Sequence, residues 1–239
     1  MVNKIDLVCE GKAKRVFWTS ERDKVWIEFK DEATAFDGEK RDTIEGKGAL
    51  NAAISANLFQ YLERNGIPTH YSETLYPNVI LAEAVKIVPV EFVVRNITAG
   101  SLAKRMGVKE GIPLKSPVIE FYYKNDALHD PMINEYHIEA FDLADSGEIR
   151  TIKEYCLDIN SILSFRFSDI GLTLVDIKLE FGTDKYDQVI LADEISPDTF
   201  RVWDAKTGDS MDKDLFRRDL GGLKEAYEEV LNRLQESSD

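Results

Sequence analysis

From Leu174 to Gly182 the chain alternates strictly: Val175, Ile177, Leu179 and Phe181 are apolar, and Asp176, Lys178 and Glu180 between them are charged. That period of two predicts a strand with one buried face and one charged face. A second run, VILADE at 189–194, follows the turn-rich stretch 182–187. A symmetric hairpin sets Glu180 opposite Val189 and Asp176 opposite Asp193, which adds Asp193 to the charged face. Helical spacing appears in three places. Leu50, Ile54, Leu58, Tyr61 and Leu62 form a stripe over 47–64, closed by Asn65-Gly66 with Pro68 beyond. Ile152, Tyr155, Cys156, Ile159, Leu163 and Phe167 predict a helix over 151–170, and Leu223, Tyr227, Val230, Leu231 and Leu234 predict a last one. Strands are expected at 7–18, interrupted by Gly11, and at 25–29, 78–85 and 88–95, with Arg201 on a short strand within 196–204. Thr98, Gly100 and Ser101 open a short helix that stops near Gly107. No repeat or linker interrupts the chain, which predicts two closely packed lobes, 1–85 and 86–239.

Composition narrows the function. At 239 residues the chain can bury a substantial core, and its formal net charge of −14 disfavours nucleic acid as a partner. No stretch is apolar enough to span a bilayer, and the first dozen residues lack a secretory apolar core, so a cytoplasmic protein without a membrane partner is expected. Cys9 and Cys156 sit in apolar surroundings and read as small buried hydrophobes. His70, His129 and His137 lack neighbours at zinc-ligand spacing.

A strand face carrying Asp, Lys and Glu is costly unless something answers its charge. A divalent cation would do so, because Mg²⁺ in nucleotide sites takes one or two carboxylates and leaves the other positions to water and phosphate. A lone D-x-K-x-E is more often a solvated face; the second acidic run, 192–194, shifts the balance to metal. Gly11 beside Lys12 and Lys14 lets backbone approach a phosphate while two ammonium groups neutralise it. Arg95 ends an apolar strand just before the Gly100-Ser101 helix start, where free N–H groups and a guanidinium together make an anion site. Lys86 lies between two strands, where an adenine could lie. The segment 121–137 gathers Lys124, Asp126, Asp130 and Asn134 in a turn-like loop.

EGKAK, PVEFVVRNITAGS, KNDALHDP, LVDIKLEFG, LADEISPD and DKDLFRRDLGG occur in the order found in the phosphoribosylaminoimidazole-succinocarboxamide synthase (SAICAR synthetase) family, which the chain resembles almost end to end. The resemblance implies an ATP- and Mg²⁺-dependent ligase of purine biosynthesis joining L-aspartate to carboxyaminoimidazole ribotide. It implies an α+β fold whose N-terminal antiparallel sheet lobe is similar to those of kinases and ATP-grasp enzymes, with ATP in the cleft, and a homodimer. By the same resemblance Lys12, Lys14, Lys86, Lys178, Glu180 and Asp193 serve ATP. Asp37, Arg95, Gly100, Ser101, Lys124, Asp130 and Arg201 serve the ribotide; Glu180, Asp193 and Asp130 hold metal; Lys178, Asp176 and Asp130 are catalytic. Cys9 and Ile177 replace residues that are usually aromatic in the family, and both exchanges are apolar. Two rivals stand beside this reading: a phosphotransferase or ligase of the same architecture with another acceptor, and a nucleotide-binding module without catalysis.

Overall fold

Alternating apolar and polar residues build two antiparallel sheets in the computed structural model, which describes residues 2–35 and 38–236. The first is ordered β1 (Lys4–Glu10), β2 (Lys14–Thr19), β3 (Lys24–Phe29), β7 (Val79–Glu83), β6 (Tyr71–Tyr76). Gly11 does more than interrupt a strand: its N–H donates to the Lys14 carbonyl at 2.9 Å, and the expected single strand is a hairpin. Because β1 is the outer edge and pairs only with β2, Cys9 is exposed rather than buried, whereas Cys156 is buried.

The second sheet runs β10 (Met132–Ile133), β9 (Pro113–Tyr123), β8 (Lys86–Ile97), β11 (Leu172–Thr183), β12 (Val189–Ala192), and β13 (Phe200–Asp204) also pairs with β11. A small hairpin, β4 (Glu32–Ala35) with β5 (Lys40–Thr43), stands apart. The chain leaves the first sheet at Glu83 and enters the second at Lys86. At that crossing Gly182 lies so close to Val85 and Lys86 that a Cβ would meet Val85 Cγ2 at 2.7 Å and the Lys86 carbonyl at 2.9 Å. A parallel bridge, Thr69 to Leu191, sews the two sheets together.

The β11–β12 register differs from the symmetric expectation. Thr183 pairs with Val189 and Glu180 with Ala192, not with Val189. Asp184 tightens the loop, since its Oδ1 accepts from the N–H groups of Tyr186 and Gln188. Asp176 lies beyond the β12 pairing, opposite Arg95 of β8 on one side and Arg201 of β13 on the other, not opposite Asp193.

Helix α1 (Lys47–Arg64) covers the first sheet with Ala52, Ile54, Leu58, Phe59 and Leu62, and α4 (Ser146–Asp169) covers the second with Ile152, Cys156, Ile159, Leu163 and Phe167. Their buried faces merge into one continuous apolar core. Helix α4 begins ahead of the expected Thr151 because Asp145 caps it: Oδ1 accepts from Gly147 and Glu148, and the Glu148 carboxylate accepts from the Asp145 N–H. The short α2 (Gly100–Met106) ends at Gly107 as expected; α3 (Glu135–Ala140) and α5 (Asp214–Arg217) are short connectors. Helix α6 (Leu223–Glu236) buries Leu223, Tyr227, Val230 and Leu234.

Candidate active site

The charged face of β11 meets the first sheet rather than open solvent. Glu180 is only 2% exposed and accepts from Lys178 at 2.7 Å and from Lys124 of the loop after β9. Lys178 also donates to Glu91 of β8 at 2.8 Å. From the first sheet, Lys14 reaches Asp193 at 2.6 Å and Glu194 at 3.3 Å. Asp193 gets there by an unusual route. Ala192 pairs with Glu180 and shares its face, so an extended Asp193 would point away; its φ of +65° turns it back. Lys12 pairs with Asp126 at 2.8 Å, tying the hairpin turn of the first sheet to the loop that carries Asp130.

These groups line a cleft of about 320 Å³ together with Asp130, Asp198, Lys213 and Arg217. Its electrostatics are self-consistent. Burial disfavours the Lys14 charge, yet Asp193, Glu194 and Glu180 outweigh it and hold the ammonium above its ordinary range. Lys178 is raised in the same way against burial, by Glu180, Asp193 and Glu91. Burial pushes Asp193 up, but Lys14, Lys178 and Lys124 hold its carboxyl well below the usual range. Burial and Asp193 work against the Glu180 charge, and Lys178, Lys124 and Lys14 prevail, lowering its pKa. The cleft therefore presents fixed cations interleaved with two adjacent carboxylates.

Among the described residues no three His, Cys, Asp or Glu groups are already gathered as a protein-only cage. Asp130 lines the same cleft as Glu180 and Asp193, and its Oδ1 accepts the Asn125 N–H at 2.8 Å. Glu180 and Asp193 remain a pair of hard oxygen donors on the cleft wall, which suits a cation that completes its shell with phosphate and water.

A second charged cluster adjoins the first. Arg95, 3% exposed, donates to Glu120 at 2.7 Å, to Asp176 at 2.8 Å and to the Ser101 hydroxyl at 3.0 Å. Arg201 donates to both Asp176 oxygens, at 3.0 and 2.9 Å, and to Asp214 at 3.0 Å. Asp176, expected among the catalytic groups, lies between two guanidinium groups and does not line the cleft. Arg201 also sits over Gly100, where a Cβ would meet Nη2 at 2.8 Å and where φ is +50°. The Gly100 N–H donates to Glu110 at 2.8 Å, so this helix start already binds a carboxylate, which Arg218 also grips.

Other expected residues fall elsewhere. Lys86 is exposed within β8, opposite Thr183, and outside the cleft. Asp37 lies outside the described residues. The sequence reading missed the network beneath the cleft floor. Lys47, 1% exposed at the start of α1, pairs with Asp198 at 2.5 Å, and the Tyr227 hydroxyl of α6 donates to the other Asp198 oxygen at 2.7 Å. Lys213 approaches Asp198 at 3.7 Å, and burial lowers its pKa despite that neighbour. The i, i+4 spacing of Lys213 and Arg217 in DKDLFRRDL was the available signal. His70 was weighed only as a zinc ligand; it is buried, and burial first of all lowers its pKa to about 4.

The family model for SAICAR synthetase matches residues 7–234. A phosphoribosylaminoimidazole-succinocarboxamide synthase of Clostridium kluyveri is 50% identical over 236 residues, 99% of this chain and 100% of that one. The crystal structure of the synthase from Ehrlichia chaffeensis superposes with a TM-score of 0.94 at 45% identity, covering 96% of this chain and 98% of the other. A SAICAR synthetase in complex with ADP superposes with a TM-score of 0.93 at 48% identity, covering 98% and 99%.

Proposed function

The chain belongs to the SAICAR synthetase family, and from that premise we propose that it is an ATP-dependent ligase of purine biosynthesis. It condenses L-aspartate with the carboxylate of carboxyaminoimidazole ribotide, releasing SAICAR, ADP and phosphate. The observation that supports this most is the meeting of Lys14, Lys178 and Lys124 with Glu180 and Asp193, drawn from both sheets into one cleft.

A carboxylate resists an amine until one of its oxygens becomes a leaving group, and transfer of the γ-phosphoryl group of ATP accomplishes that. Lys12, Lys14 and Lys178 clamp the phosphates, and their fixed charges stabilise the charge that builds up in transfer. The cleft between the sheets takes the nucleotide, as in kinase-like and ATP-grasp lobes. Glu180 and Asp193 would hold Mg²⁺, which when bound neutralises phosphate charge. Among the described residues no Ser, Cys or His lines the cleft as a covalent acceptor, so the ribotide carboxylate accepts the phosphoryl group and an acyl phosphate meets the aspartate amine. Ser101, Arg201 and Arg95 form the ribotide-phosphate end, with Lys124 and Asp130 toward the reacting carboxylate. Asp176 supports this end by aiming both arginines.

A coupled assay of ADP release, omitting one substrate at a time, tests the reading: release requires all three. Equal release without the ribotide overturns it. Ribotide labelled with ¹⁸O in its carboxylate passes label into the phosphate released, and unlabelled phosphate rules out carboxylate activation.

A further inference from the structure

Asp193 adopts the left-handed backbone conformation, which is uncommon for a non-glycine residue although Asp enters it more readily than most, and which contacts to its backbone can hold in place. Strand β12 ends at Ala192, and the φ of +65° at the next residue swings the carboxylate from the far side of the sheet to Lys14. A side chain outside the cleft lining supplies the restraint. The Asp193 carbonyl lies 3.0 Å from Nε2 of His70. A carbonyl oxygen can only accept, so Nε2 carries the proton and donates.

His70 is itself fixed on every side. Its N–H donates to the Leu191 carbonyl at 2.9 Å, and its own carbonyl accepts from Glu83 at 2.7 Å. Its ring stands edge-on to Phe59 of α1, with 5.3 Å between ring centroids. It enters the first sheet just ahead of β6, while Asp193 leaves the second just after β12. The bond therefore crosses between the sheets, as the Lys14 ion pair does. Lys14 draws the carboxylate from one side, and His70 holds the backbone from the other.

We infer that His70 is a positioning residue for the nucleotide end of the site: its Nε2–H locks the left-handed turn at Asp193 and so sets how the Asp193 and Glu180 carboxylates are presented together. The inference rests on the proposed role of Asp193 toward Mg²⁺ and the nucleotide. His70 touches neither in this arrangement; it acts through one carbonyl.

Two variants separate the donor from the packing. His70→Leu keeps apolar bulk and removes the donor, whereas His70→Gln places an amide N–H near the Nε2 position. The measurements are ADP affinity with and without Mg²⁺, and KM for Mg·ATP and for the ribotide. In His70→Leu the gain in ADP affinity conferred by Mg²⁺ falls about 10-fold and KM for Mg·ATP rises similarly, while ribotide KM changes less than about twofold. His70→Gln recovers most of the loss. In the metal-free wild type, ¹⁵N NMR finds His70 as the Nε2–H tautomer, a readout that needs no variant to fold. The Nδ1–H tautomer overturns the inference, and so does a folded His70→Leu protein that keeps the full Mg²⁺-dependent gain. Asp193→Asn separates the premise from the inference. If that variant also keeps the gain, the ligand role of Asp193 fails; if it loses the gain while His70→Leu does not, only the positioning role of His70 fails.

Discussion

Arg95 and Asp198 show how a residue's partners decide what its substitution reports. Arg95 is the only cation within 4 Å of Asp176 besides Arg201 among the described residues, and it also pairs with Glu120. Arg95→Ala therefore takes one of two cations from each of two buried carboxylates, leaving Asp176 with Arg201 and Glu120 with Arg105, so it perturbs the fold as well and cannot report ribotide affinity alone. Ser101 is exposed, and its hydroxyl accepts from Arg95. Ser101→Ala should leave the melting temperature within about 1 °C and weaken ribotide binding roughly 10-fold, measured by calorimetry, if it is a phosphate ligand. Asp198 is different: it lines the cleft, but its close partners, Lys47 and Tyr227, are buried groups of α1 and α6. Burial opposes its charge, but Lys213, Lys47 and the Tyr227 hydroxyl hold its carboxyl below the usual range. A folded pKa below the unfolded one means that the unfolded chain binds more protons as pH falls. The stabilisation is complete above the unfolded value, about 3.9, and is lost as pH drops below it toward the folded pKa. Asp198→Asn should cost about 3–5 kcal/mol at pH 7, and in acid denaturation its gap from wild type should narrow below about pH 4.

The long helix α4 shows what pattern alone misses within an element. Its apolar stripe begins at Ile149, but its start is set by the Asp145 and Glu148 capping box, in which each side chain accepts the other's N–H. Ser146, Gly147 and Glu148 ahead of Ile149 carry no apolar signal, so a stripe counted from Ile152 places the start near Thr151. Asp145→Ala should cost about 1 kcal/mol and lower the melting temperature by roughly 2–4 °C, with turnover unchanged, because neither Asp145 nor Glu148 lines the cleft. Strands β1 and β2 show the converse. Alternation continues across Gly11, and only the Gly11 to Lys14 hydrogen bond reveals two strands there. That hairpin turn delivers Lys12 and Lys14 to the cleft from adjoining positions.

Across the whole molecule, the two sheets share one core that runs from Val25 and Ile27 through Leu58 and Leu62 to Ile177, Leu179 and Phe181. Charged contacts reinforce this joining: Lys14 of the first sheet grips Asp193, and Lys47 of α1 grips Asp198. Urea unfolding should therefore be one transition, coincident by far-ultraviolet circular dichroism and by tryptophan fluorescence. The fluorescence reports both sheets, with Trp18 and Trp26 in the first and Trp203 in the second. Two separated transitions would mean that the lobes hold their structure independently.

By itself the sequence determined the period of each main element, the apolar faces of α1, α4 and α6, the charged face of β11 and the order of the family motifs, because spacing and residue type are local properties. The family likeness was legible for the same reason, since motifs are read along the chain. Tertiary structure decided how those faces meet. The Asp184 turn shifted the hairpin register, and the pairing of β11 with β8 and β13 gave Asp176 to two arginines. A left-handed turn at Asp193 brought its carboxylate to Lys14. Lys47, Asp198 and Tyr227 came together from segments separated by 151 and 29 residues. None of these follows from periodicity, because each depends on hydrogen bonds and ion pairs between residues that become neighbours only when the two sheets close on one core.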